Sequence, residues 1–210
     1  MYIVFEAIVG TGKTIQSKKL VEYLQKKYPE RQVVWTREPG GSEIAEGIRR
    51  AVQGTTYREK MDSVCEAYLY AASRAQTLRK VVIPVIAAGG IVVSDRSFIT
   101  SLAYQGYGRG LGLEVVLRIN REALGLVWPD LVLYLDMDIR ESVARTFDQL
   151  GDKFEEEGLR FFEGAVEGYR AASQMPEFRG RWADIDASGT VEDVFGRIVT
   201  VVENRLREDQ

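Results

Sequence analysis

Five short runs of β-branched and aromatic residues alternate along the chain with longer stretches whose apolar residues recur at helical spacing. The runs are Tyr2–Ala7, Gln32–Thr36, Ile91–Asp95, Leu131–Asp136 and Trp182–Asp186. Helical patterns cover Lys13–Lys27, Ser42–Gln53, Met61–Ala88, Leu113–Leu124, Ile139–Leu150, Glu156–Gln174 and Val191–Leu206. In the last, Val191, Val194, Phe195, Ile198, Val201 and Val202 keep one apolar face. Ser42, Asp62 and Thr190 stand where N-caps are expected. Alternating strands and helices predict an α/β fold, with a five-stranded parallel sheet and helices on both of its faces. No repeat, low-complexity tract or linker divides the chain, which predicts a single domain over 1–210. The polar stretch Asp148–Glu157 is the candidate flap, within a short helical lid at about 146–160.

The first strand runs into Ala7-Ile8-Val9-Gly10-Thr11-Gly12-Lys13-Thr14. Glycine frees backbone N–H groups to wrap a polyphosphate, a lysine here reaches its outer oxygens, and the Thr14 hydroxyl can hold Mg²⁺. The pattern expects glycine first, and the chain has Ala7. The alternative is an ordinary strand-to-helix turn in which Lys13 is only a solvated lysine. Its place at the first strand–helix junction favours phosphate binding and a fold like that of the phosphate-loop NTP hydrolases. In open parallel sheets, ligands collect at the carboxyl ends of the strands. Those ends carry Arg37-Glu38-Pro39-Gly40-Gly41 after the second run, Asp95-Arg96 after the third and Asp186-Ala187-Ser188 after the fifth. Phosphoryl transfer needs cations more than a nucleophile, and Lys13, Arg37 and Arg96 can supply them. Asp95 can hold Mg²⁺ or its water. The plainer reading of Asp95 and Arg96 is a surface ion pair.

Composition narrows the field. The 210 residues are 45% hydrophobic and 28% charged, with a net charge of −3, which argues against a general binder of nucleic acids or membrane surfaces. The longest apolar stretch, Val81 to Val93, is interrupted by Pro84, Gly89 and Gly90 and is too short to span a bilayer. Met1 leads directly into a strand, with no basic-then-apolar leader. One cysteine, Cys65, excludes an intrachain disulfide and fits a reducing cytoplasm. The absence of histidine removes His-based acid–base chemistry and His-ligated metals.

Arg37-Glu38-Pro39-Gly40-Gly41, Ser73-Arg74-Ala75-Gln76, Asp95-Arg96 and Ser101-Leu102-Ala103-Tyr104-Gln105-Gly106-Tyr107-Gly108-Arg109-Gly110 together resemble the signature series of the thymidylate kinase family. So do Pro129-Asp130, Leu135-Asp136, Glu163-Gly164-Ala165-Val166-Glu167-Gly168-Tyr169 and Ile185-Asp186-Ala187-Ser188, in register from residue 2 to about 200. The resemblance implies transfer of a phosphoryl group from MgATP to dTMP, giving dTDP and ADP for dTTP synthesis, by a homodimer. It implies ATP binding by Val9, Gly10, Thr11, Gly12, Lys13, Thr14 and Ile15, with Asp186, Ala187 and Ser188 on the same side, and Mg²⁺ at Thr14 and Asp95. On the acceptor side it implies that Arg37 and Arg96 grip the 5′-phosphate, with Pro39 and Tyr169 nearby. Tyr70 stacks on thymine, Arg74 bonds to a base carbonyl, Ser101 and Gln105 read the base edge, and Tyr104 crowds the 2′ position. The residues agree in part: Tyr70 and Arg74 are four apart, so one helix face offers a ring and a donor together. Tyr70 alone also reads as a core aromatic. The glycine-rich segment Gly106–Gly110 favours a close backbone approach to a ligand, and the Arg-Glu-Pro turn predicts a cis Glu38–Pro39 bond.

Departures from the family pattern gather on the phosphate-donor side. They are Ala7 for glycine, Val9 for an acidic residue near the sugar and metal, Ile15 for a hydroxyl residue, Ser97 for an aromatic or histidine, and Lys153 for a flap arginine. Losing the hydroxyl at Ile15 costs about 0.5–1.5 kcal/mol. Removing a transition-state donor outright costs roughly 3–4 kcal/mol, and Lys153 retains part of its charge. With Lys13 and Arg96 present, slow catalysis is expected, with Arg145, Lys153 and Arg160 as the lid cations. The alternatives are a nucleotide-binding pseudoenzyme and a kinase for another nucleoside monophosphate; Arg74, Ser101 and Gln105 speak against the latter.

Overall fold

Period-two alternation along each strand sends neighbouring side chains into two different cores. Tyr2 and Val4 enter one and Ile3 and Phe5 the other, and all four are fully or almost fully buried. The computed structural model describes residues 1–54, 57–147 and 158–208. Its strands are β1 (Tyr2–Glu6), β2 (Val33–Arg37), β3 (Ile91–Asp95), β4 (Leu131–Asp136) and β5 (Trp182–Asp186). They form one parallel sheet in the order β2-β3-β1-β4-β5. The helices are α1 (Lys13–Lys27), α2 (Glu43–Gln53), α3 (Ser63–Thr77), α4 (Ile83–Ala87), α5 (Phe98–Ser101), α6 (Leu113–Leu124), α7 (Ile139–Phe147), α8 (Leu159–Ser173) and α9 (Val191–Glu208). Leu20 and Leu24 of α1 with Ile198 and Val202 of α9 cover one sheet face. Tyr70 of α3, Phe98 of α5, Val116 of α6 and Phe162 of α8 cover the other. The expected α/β sheet with helices on both faces is what the chain forms.

The expected caps are present. Ser42 accepts from Ala45 N at 3.4 Å, and Asp62 accepts from Val64 N and Cys65 N. Thr190 accepts from Asp193 N at 3.2 Å while the Asp193 carboxylate takes back Thr190 N at 2.9 Å. The single helix expected over Met61–Ala88 is α3, a π-helical stretch at Leu78–Val82, and α4. Pro84 cannot donate to the preceding turn, which widens ahead of it.

One stretch needs correction. Phe98–Gly108, where no element was expected, is α5 followed by a π-helical Leu102–Gly108. One glycine of the segment read as room for a ligand, Gly108, serves helix packing here. A Cβ on Gly108 would sit 2.5 Å from the Phe161 ring, and one on Gly168 of α8 would sit 2.5 Å from Ala103 Cα. Absent side chains let this segment lie against α8, which holds the residues after β3 in place over the sheet.

Candidate active site

The loop after β1 turns on Gly10 and Gly12, whose φ values of 72° and 84° lie in the left-handed region that glycine adopts without strain. Ala7 breaks no backbone rule, because Arg96 is the one non-glycine with positive φ among the described residues. Lys13 is buried, and its Nζ donates to Ile8 O at 2.6 Å within the same loop. Burial, with the Arg96 charge beside it, lowers its pKa to about 7. Thr11 is buried, while Thr14 and Ile15 face solvent at the start of α1. Thr14 Oγ1 donates to Asp95 Oδ2, which brings two hard oxygen ligands together at the end of β3. Such a pair suits Mg²⁺, which takes one or two protein ligands and fills its remaining positions with phosphate and water. Val9 is half-buried, and its carbonyl accepts from the Ser142 hydroxyl in the first turn of α7.

Arg96 is strained and heavily braced. Its φ of 75° is uncommon for a residue with a Cβ. Its amide donates to Phe5 O at 2.9 Å, and its carbonyl accepts from Ser94 Oγ at 2.7 Å. Its guanidinium donates to Ala7 O at 2.8 Å, Thr100 Oγ1 at 3.2 Å, Tyr169 Oη at 3.1 Å and Tyr104 Oη at 3.3 Å. Beneath it lies Glu6, fully buried, which accepts from Ser97 Oγ at 2.6 Å, from Thr100 Oγ1 and from Tyr169 Oη. Burial raises the Glu6 pKa against those hydrogen bonds and the charge of Arg96. Burial, then Glu6, raises the Tyr169 phenol. Ser97, a departure from the family pattern, thus has two roles: it bonds to Glu6 and caps α5 through Ile99 N.

Beside Arg96 opens a cleft lined by Val9, Pro39, Tyr70, Arg74, Ser101 and Gln105, with Tyr104 also in its wall. Arg74 is 2% exposed. Its Nε donates to Glu38 Oε2 at 2.6 Å, Nη1 to Asn120 Oδ1, and Nη2 to Ser97 O at 3.3 Å and Ser101 Oγ at 3.2 Å. Burial raises the Glu38 pKa, and Arg74 pulls it down. Tyr70 Oη accepts from Gln53 Nε2, and Gln105 Nε2 donates to Glu66 Oε1. The bond Glu38–Pro39 is cis, as expected, and Pro39 O accepts from Arg49.

The remaining predicted residues lie further out. Arg37, at the end of β2, makes a two-pronged pair with Glu46 at 3.0 and 2.8 Å, and Glu46 also accepts from Gly41 N. That pairing lowers the Glu46 pKa. Asp186, Ala187 and Ser188 form a turn stitched by Arg197, which donates to Asp186 O and Ser188 O, both at 2.7 Å. The turn leads into α9, whose Val191 O accepts from Gln16 of α1, so it lies on the loop side of the sheet. Arg145 pairs with Glu141 one turn back on α7. Arg160 is exposed in the first turn of α8, and Lys153 lies outside the described residues. Sequence reasoning gave no role to Glu6, Glu46, Glu66, Thr100 or Asn120. A signal existed for Glu66: Glu66, Tyr70 and Arg74 recur every fourth residue and share one face of α3.

The parallel sheet, the glycine-bent loop entering α1 with a buried lysine, and the carboxylate and arginine closing β3 define a phosphate-loop phosphotransferase. A family model described as thymidylate kinase matches residues 5–198. The thymidylate kinase of Finegoldia magna is 41% identical over 207 residues, covering 98% of each chain. That of Desulforudis audaxviator is 46% identical over 210 residues, covering 98% of this chain and 93% of its own. The crystal structure of thymidylate kinase from Ehrlichia chaffeensis superposes with a TM-score of 0.78 at 28% identity, over 97% of this chain and 98% of that one. The chain belongs to the thymidylate kinase family.

Proposed function

We propose that the protein transfers the terminal phosphoryl group of ATP to dTMP, giving dTDP and ADP. The observation that carries this reading is the cleft beside Arg96, where Tyr70 offers a stacking face and Arg74 and Gln105 offer polar atoms to a base edge. Ser101 and Tyr104 complete the acceptor pocket, Tyr104 beside the sugar. Arg96, with Tyr169 behind it and Arg37 at its flank, neutralises the acceptor phosphate. The backbone from Val9 to Ile15 wraps the ATP phosphates, and Lys13 leaves Ile8 O to bind their outer oxygens. Asp186, Ala187 and Ser188 border the nucleoside of ATP. Thr14 and Asp95 are the residues that would hold Mg²⁺, which supplies neutralisation of phosphate charge. Transfer then rests on positioning and on charge from Lys13 and Arg96, with Lys153 or Arg145 adding a cation from the lid side.

The working unit is proposed to be a homodimer, supported by Ile44, Val64 and Tyr68, which are large, apolar and exposed on the packed pair α2 and α3. The proposed compartment is the cytoplasm. Among the described residues no helix is long and apolar enough to cross a membrane. A coupled ADP-release assay across dTMP, dUMP, UMP, CMP and GMP tests the activity. dTMP should give the highest kcat/KM; another nucleotide in that place, or no ADP from dTMP, sinks the proposal.

A further inference from the structure

Glu66 is 1% exposed, one helical turn before Tyr70 on α3. Its Oε1 accepts from Gln105 Nε2 at 2.8 Å and from Arg109 Nε at 3.3 Å, and its Oε2 accepts from Arg109 Nη2 at 3.2 Å. An ionised carboxylate can only accept, so the amide of Gln105 must turn its nitrogen to Glu66 and its oxygen away. That oxygen is buried and has no hydrogen-bond partner among the described residues, while Gln105 lines the cleft with Arg74. A buried acceptor without a partner is costly unless a ligand supplies a donor.

We infer that Glu66 is a specificity-positioning residue: it locks the Gln105 amide so that an acceptor, and not a donor, meets the base. This rests on the proposed reading of the cleft as the base pocket. Arg74 brings a donor and Gln105 an acceptor, which together complement a neighbouring carbonyl and N–H. Thymine presents that pair at O4 and N3–H; cytosine presents the reverse, an amino group and a bare N3. A freely turning amide would serve either base, and the ion pair with Arg109 holds Glu66 in place.

The test is a double-mutant cycle on kcat and KM for dTMP and dCMP. Glu66→Gln keeps the volume and one acceptor for Arg109 but lets the Gln105 amide pair either way round. It should raise KM for dTMP with little change in kcat, and lower the dTMP-over-dCMP ratio of kcat/KM about tenfold, the worth of one oriented hydrogen bond. In a Gln105→Ala background the same change should add less than about twofold, because Glu66 then has nothing to orient. An unchanged ratio in Glu66→Gln, or effects that multiply in the double variant, overturns the inference. If Gln105→Ala itself leaves dTMP kinetics and base preference untouched, the base-pocket reading falls as well. Should Glu66→Gln fail to fold, the wild type still decides. The Gln105 side-chain amide protons, bonded to Glu66, should exchange slowly with solvent before and after dTMP is added. Exchange as fast as a free amide in either state overturns the inference.

Discussion

The base pocket and the phosphate loop are built on different principles. In the pocket, each polar side chain is fixed by another side chain from a distant element: Arg74 by Glu38 and Asn120, Gln105 by Glu66. In the loop, the buried lysine is tied among the described residues only to Ile8 O, five residues back, and the geometry resides in backbone bent at two glycines. A site made of backbone tolerates side-chain change, and a site made of cross-braced side chains does not. Ala7 accordingly sits where no positive φ is needed, Ile15 faces solvent, and Ser97 is absorbed by a bond to Glu6. Among the departures from the family pattern, Ala7 and Ile15 fall on the tolerant side, while Val9 and Ser97 line the cleft itself and Lys153 lies outside the described residues.

The contrast can be broken most severely at Lys13. Lys13→Ala removes the loop's one buried cation, and activity should fall by at least about 10³-fold in an ADP-release assay while thermal melting stays close to wild type. Retained activity would show that the loop is dispensable. On the other side, Glu38→Ala strands part of the buried Arg74 guanidinium, so urea unfolding should show a loss of about 3 kcal/mol along with weaker dTMP binding. A loss near zero would mean that Asn120 and Ser101 suffice and that the bracing is redundant.

Smaller effects sharpen the picture of the donor side. Lys153→Arg restores a planar donor, and because that contact strengthens as charge redistributes, kcat should rise about tenfold with KM for dTMP little changed. An unchanged kcat in an already fast enzyme would assign the cation to Arg145 or Arg160 and dismiss the idea of a weakened donor side. Lys13, with its pKa lowered to about 7, is mostly neutral above that pH until phosphate draws its proton back. ATP binding should therefore take up a proton above pH 7 and weaken about fivefold from pH 7 to pH 8. Calorimetry in buffers of different ionisation enthalpy measures that uptake, and none in wild type would contradict the buried, neutralised lysine.

The sheet was legible because strand runs and helix caps are local signals. All five strands appear within a residue of their expected ends, and Ser42, Asp62 and Thr190 cap as expected. The stretch Phe98–Gly108 was not legible, since its Gly108 answers to Phe161 and its Ala103 to Gly168, both on α8, across a tertiary contact that no local pattern announces. The site was legible in the same uneven way. Lys13, Thr14, Asp95 and Arg96 stand at strand ends where topology alone gathers them. Tyr70 and Arg74 share a face that helical spacing shows. The bracing carboxylates were missed because a glutamate on a helix ordinarily reads as solvated, and only the packed structure shows Glu66 buried against Gln105 and Arg109. Arg37 read as a phosphate ligand, and the structure adds a pairing with Glu46 that the sequence did not announce.

The claim that the base side is organised in advance of the donor side is tested most directly by titrating the enzyme with dTMP, UMP and CMP in a calorimeter with no ATP present. A pocket already braced by Glu38, Asn120 and Glu66 should bind dTMP at least about tenfold more tightly than CMP, the cost of an unpaired donor or acceptor facing the wrong edge, and more tightly than UMP, which presents the same edge but brings a 2′-hydroxyl against Tyr104. Equal affinities for all three, or a preference that emerges only after ATP is added, would contradict it.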